Sequence, residues 1–283
     1  MATIEYMPAR LTPKETEDLR QAVACLEGAS FAQRLTDAVG RPVGMLSRAM
    51  PQSARRVIGH VSETALRGAL KLALRTLDLN ASARPANRAH KLAAAASGAV
   101  GGALGLAALP FELPISTTIL LRSIAEIARE EGEDLSAPEA AFACVEVFAL
   151  GGQVGGESAF ESGYFTVRAA LAKSVSDGAR FVAAQGVAAL PAPVVARLIS
   201  QIAARFGMVV SEKVAAQAAP ILGAIGGAAV NAAFADHFQT LARGHFIVRR
   251  LERQHGAGVV AFEYQRLLGE RARGRAESRR AAS

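Results

Sequence analysis

Apolar residues recur along most of this chain at spacings of three and four, and no stretch sustains the alternation of a half-buried strand. Thr12-Pro13-Lys14-Glu15 is a capping box with proline at the first helical position, so a helix is predicted from residue 13. Leu19, Val23, Leu26, Phe31, Leu35 and Val39 form its stripe, and Gly40-Arg41-Pro42 is expected to end it. A second amphipathic run, Ser53 to Leu79, places Ile58, Val61, Leu66, Leu70 and Leu74 on one face. Ser136-Ala137-Pro138-Glu139 repeats the first cap and opens an apolar helix to Leu150. Further helices are predicted to about Val210, broken at Gly186, Pro191 and Pro193. A long amphipathic helix then covers Asn231 to His255.

Two segments differ in kind. Leu92 to Phe111 is twenty residues without a charge, and Val214 to Val230 is seventeen. As a helix, Leu92 to Leu109 would be about 27 Å long, marginal for a hydrocarbon core of roughly 30 Å. Gly98 and Gly102, like Gly101 and Gly105, stand four apart, a spacing that lets helix backbones approach closely in lipid or in a tight soluble core. The link Leu109-Pro110-Phe111-Glu112-Leu113-Pro114 is expected to be irregular, because both prolines restrict the residues before them. A new helix then runs from Ile115 to about Glu131, with Gly132 as its C-terminal cap. The fold class that follows is all-α, a single multi-helix bundle with Gly/Ala-rich central helices.

Composition narrows the function classes. The 283 residues carry 32 Lys and Arg against 25 Asp and Glu, a net charge of +7. Residues 271–283 hold five of those arginines against one glutamate, so the body is near neutral. With no tryptophan and 5% aromatics, a base-stacking surface is disfavoured, and no specific nucleic-acid partner is expected. The basic end, 269–283, reads as a disordered tail able to meet anionic headgroups or RNA. Two scattered cysteines exclude a disulfide framework and a structural zinc site. Residues 1–20 lack the apolar core of a signal peptide. The expected location is the cytoplasm or the cytoplasmic face of a membrane.

Polar residues in apolar surroundings are the candidates for chemistry. Glu112, if buried, would have a raised pKa and serve as proton acceptor or metal ligand; otherwise it is tied to backbone donors or to an arginine. His245 falls on the apolar side of the last long helix with Asn231, Phe234 and Phe238, as an acid–base histidine would, or as a satisfied core residue. Glu112 and His245 are therefore the catalytic pair of an enzyme reading. Arg122 and Glu126 share a helix face with Arg129, either as an anion site or as a solvated pair. Asn231, Asp236 and His237 complete the binding candidates, although adjacent Asp236 and His237 diverge by about 100° on a helix. No metal is specified and no cofactor is implied. The chain lacks a phosphate-binding Gly-x-x-x-x-Gly-Lys-Ser/Thr loop, a dinucleotide fingerprint after a strand and a Gly-x-Ser-x-Gly elbow.

The stretch SGAVGGALGLAALPFELPISTTILLRSIAEIAREEGEDL, then CVEVFALGG, and the later NAAFADHFQTLARGHFIVRRLERQHG resemble the EcsC protein family. The resemblance covers roughly residues 60–265. It divides the chain into an N-terminal helical extension (1–50), an EcsC-like helical domain (51–268) and the basic tail. The family takes its name from a bacterial protein encoded beside the subunits of an ABC transporter. The resemblance implies no specific activity; taken with the Gly-spaced apolar helices, it makes a membrane-associated accessory protein the expectation, linked to ABC transport or secretion, with those helices packing on lipid or a membrane protein and a homo-oligomer compatible. The alternative is a hydrolase with a buried carboxylate/histidine site, metal-bearing or not.

Overall fold

A computed structural model describes residues 11–40, 42–76, 108–152, 163–186, 192–217 and 223–281. Among these residues there are ten helices and no strand. They are α1 (Pro13–Leu26), α2 (Phe31–Val39), α3 (Val43–Arg48), α4 (Gln52–Thr76), α5 (Leu109–Glu130), α6 (Pro138–Leu150), α7 (Gly163–Gln185), α8 (Pro193–Gln217), α9 (Gly223–His255) and α10 (Ala257–Ala281). The all-α bundle read from periodicity is the observed architecture. The apolar run from Leu92 lies outside the described residues up to 107.

The centre of the bundle is α6. Eleven consecutive residues, Ala140 to Leu150, are buried, so no side of this stretch faces solvent. It packs against α4, α5, α7, α8 and α9, which turn their own apolar stripes inward. The second organiser is α9, whose 33 residues extend about 50 Å. It touches α1, α2, α5, α6, α8 and α10, so one long helix meets nearly every layer. Phe206 of α8, Phe234 and Phe238 of α9 and Phe148 of α6 interlock edge-on or tilted where those helices cross, with centroids 5.0–6.1 Å apart.

Several local expectations are corrected. Residues 13–39 form two helices, because Ser30 starts a second capping box with Gln33, each side chain accepting the other's backbone N–H. Gln in place of Glu made that start harder to see. The expected irregular proline link is helical: Pro110 sits in the first turn of α5, where no intrahelical donor is lost, and Pro114 is carried inside the helix. Glu112 is thus a first-turn residue. Ser136 does not cap α6; Ala137 occupies the N-cap and Ser136 turns to Asp134, whose carboxylate accepts from its N–H at 3.0 Å and from its hydroxyl at 2.6 Å. The segment expected to be a disordered tail continues as helix α10 to Ala281, and Arg271 donates to the Val23 carbonyl at 3.1 Å, docking it on α1. Gly132 ends α5 as expected, with φ +79°.

Close helix approach is set by glycine at α1–α9. A Cβ on Gly244 would lie 2.6 Å from Leu26 Cγ and 3.0 Å from Cys25 Cβ. Gly68, on α4, faces open space. Gly244→Ala is therefore expected to cost about 1–3 kcal/mol through overpacking, whereas Gly68→Ala stabilises by roughly 0.5–1 kcal/mol through helix propensity. Thermal unfolding of the two variants checks the opposite signs.

Candidate functional site

Glu112 is brought into the bundle by the first turn of α5 and meets Lys213 of α8 and Asn231 of α9. Lys213 Nζ donates to Glu112 Oε1 at 2.6 Å, and Asn231 Nδ2 donates to the same oxygen at 3.1 Å. The lysine is 0% exposed and the glutamate 7%. Lys213 Nζ also stands 4.8 Å from the Phe234 ring centroid, a cation over an aromatic face. Burial draws the Lys213 pKa below its ordinary value while Glu112 pulls against it. One carboxylate oxygen thus joins three helices. Two of the predicted site residues, Glu112 and Asn231, are united here, and Lys213 was missed. Its signal was present, because Ile202, Phe206, Val209, Lys213 and Ala216 follow one another at four- and three-residue steps down the buried stripe of α8.

His245 is elsewhere. Fourteen residues along α9 from Asn231, it lies about 21 Å further down the helix, so the predicted carboxylate/histidine site is not assembled. The ring is 0% exposed, with Nδ1 3.1 Å from the Tyr164 hydroxyl of α7. Burial, helped by the Arg168 and Arg249 charges, holds the imidazole well below its ordinary pKa, and burial raises the tyrosine. Tyr164 is then the donor and neutral His245 the acceptor at Nδ1, which puts the ring proton on Nε2. Among the described residues that Nε2 meets no hydrogen-bond partner. Tyr264 of α10 stacks on Tyr164 at 5.8 Å and donates to Glu27 at 3.1 Å. Around this aromatic plug, Arg168 holds Glu252 through two bonds of 2.8 and 3.0 Å, and Arg249 holds Glu133 through two of 2.8 and 3.2 Å. Arg253 also donates to Glu133. Glu146 of α6, buried beside these pairs, is pushed up to about 7 by desolvation against the pull of Arg168 and Arg249.

The other candidates separate. Arg122 is exposed and Glu126 half-buried on α5. Asp236 faces Arg34 of α2 at 3.7 Å, half exposed. Its neighbour His237 turns inward between Phe31 and Phe238, with centroids 5.1 and 5.2 Å away, and burial with the Arg34 charge takes it down to about 3. Among the described residues no three His, Cys, Asp or Glu side chains stand close enough to share a metal ion.

Solvent reaches titratable groups at a cavity of about 610 Å³ bounded by α1, α2, α3, α4, α8 and α9 and the end of α6. Arg34, Arg48, Arg55, Glu212, His237 and Cys25 lie on its wall. The Glu212 carboxylate accepts the backbone N–H of Ala32 at the start of α2, and burial raises it to about 7 with Arg48 opposing. Burial also pushes the Cys25 thiol up, against the arginines near it. Gly151 and Gly152 form part of the wall because a Cβ would not fit: it would lie 2.9 Å from Phe238 at the first and 2.5 Å from the Arg205 carbonyl oxygen at the second. These glycines serve close packing. Glu212 and the arginines of this cavity were not among the predicted site residues, because only the tertiary fold gathers them.

The sequence model of the EcsC protein family matches residues 6–251. The match begins in the N-terminal segment that the resemblance had left outside. No curated protein and no solved structure matches the chain.

The buried pair predicts strong coupling. Glu112→Gln leaves the Lys213 charge uncompensated and is expected to cost about 3 kcal/mol or more, as is Lys213→Met, with the double variant recovering much of the loss. Chemical denaturation of the four proteins measures it. Glu146 gives a pH signature. Its folded pKa of about 7 lies above the ordinary 4.5, so its burial penalises folding in full above about pH 7 and not below about 4.5. Glu146→Gln should therefore add up to about 3 kcal/mol at pH 8 and little at pH 5, read from denaturation midpoints.

Proposed function

Because the chain belongs to the EcsC protein family, we propose that it acts as a membrane-associated accessory protein that packs on lipid or a membrane partner and turns over no substrate. The observation that carries this reading is the sealing of the embedded polar groups. Glu112 is occupied by Lys213 and Asn231, and His245 is enclosed with Tyr164. Neither offers a face to a substrate, and about 21 Å of helix separates them. That separation favours the accessory reading over a hydrolase built on the pair.

Membrane contact draws support from α8, whose 25 residues have an 18-residue window of mean hydropathy 1.4, half of it buried in the bundle. Such a helix meets the length and composition of a span, as the core helix of a soluble protein also does. Phe111 and Ile115 add exposed apolar side chains at the start of α5, where the uncharged run from Leu92 ends. A position on the cytoplasmic face accords with the two scattered cysteines and the Arg-bearing helices, and a link to ABC transport or secretion accords with the family resemblance. Fractionation of the expressed full chain tests the reading. The protein is expected with the membranes at low salt; recovery entirely in the soluble fraction overturns it. Subsequent washing in high salt and then alkaline carbonate separates a charge-mediated surface contact from helices seated in the bilayer.

A further inference from the structure

The corner formed by α2, α3 and the start of α4 exposes an unusual combination. Short helix α3 buries Val43 against the core yet leaves Met45 69% and Leu46 42% exposed in the same turn. From Val39 to Ser62 the chain has four arginines, at 41, 48, 55 and 56, and no acid. Arg55 fixes the corner: its Nε donates to the Met50 carbonyl at 3.0 Å and its Nη2 to that of Arg48, closing the end of α3 onto α4. Met45 and Leu46 are therefore presented on a pinned turn. Gly44, Ser47, Arg48 and Arg55 of this corner also line the mouth of the 610 Å³ cavity, with Met208 across from them. The acid facing that mouth is Glu212, which is held by the Ala32 N–H, while Asp236 is turned to Arg34.

We propose that this corner docks the protein on an anionic phospholipid surface, Met45 and Leu46 entering the interface while Arg48, Arg55 and Arg56 hold lipid phosphates. The inference rests on the membrane-association reading and supplies its partner and its surface. Apolar side chains flanked by arginine, with Asp37 of α2 the one exposed acid beside them among the described residues of the corner, complement an interface in which acyl chains lie beneath negative headgroups. Arg55 is the least replaceable of the three, since it also holds α3 in place.

Co-sedimentation of the full chain with phosphatidylcholine vesicles, with and without phosphatidylserine, tests the proposal. Binding is expected only with phosphatidylserine, and it should fall as salt is raised. Met45→Ser/Leu46→Ser and Arg48→Glu/Arg56→Glu should each weaken it by about tenfold or more, with unfolding temperatures unchanged. Arg273→Glu/Arg275→Glu, in the exposed part of α10, should bind as the parent does. If both corner variants bind like the parent, or the parent binds phosphatidylcholine equally well, the proposal falls and the membrane reading stands on another surface. A parent chain that binds neither vesicle and fractionates as soluble removes both.

Discussion

Lys213 and Glu112 meet where α5, α8 and α9 cross, and neither side chain could be accommodated there alone. A buried ammonium ion loses its hydration, and only an opposed carboxylate at hydrogen-bond distance restores enough of that energy for the charge to remain. The single oxygen Glu112 Oε1 receives both Lys213 and Asn231, so the three helices must hold one mutual register for the contact to exist. Apolar stripes tolerate sliding and rotation. An ion pair in this setting does not. The 33-residue α9 is tied to α5 and α8 at this point.

Along the same helix, the region around His245 shows a different solution to buried polarity. Tyr164, Tyr264 and His245 fill the space with rings, while Arg168–Glu252 and Arg249–Glu133 close the sides with paired charges. The arginines depress the histidine further, so it stays neutral and accepts from Tyr164. Both polar centres are enclosed by their own partners in the bundle. Among the described residues, the cavity wall gathers arginine and glutamate side chains, and the exposed corner beside it adds methionine.

Much of the fold was legible because helices announce themselves locally. The capping box at Thr12, the glycine at 132 and the unbroken apolar run of α6 each mark an element through interactions that span only a few residues. Failures fell where two local signals competed. Ser30 with Gln33 restarted a helix inside a continuous stripe, Ser136 turned to Asp134 when it could have capped α6, and Pro110 and Pro114 were absorbed into α5. The family could be identified from the segments after residue 60, while the match extends back to residue 6, through helices whose stripes carry little to distinguish them.

The sequence by itself determined that the chain is all-α, where most helices begin and end, and that Glu112 and His245 lie among apolar residues. These properties depend on periodicity, capping and composition, which act over one or two turns. Only the tertiary structure decided which polar residues meet. It joined Glu112 to Lys213 across 101 residues and Tyr164 to His245 across 81, and it set Asp236 and His237 to different tasks. The reason is physical: the partner of a buried charge is fixed by how helices cross, and crossings are set by the summed packing of stripes and by close approaches such as that at Gly244. No local pattern encodes that sum.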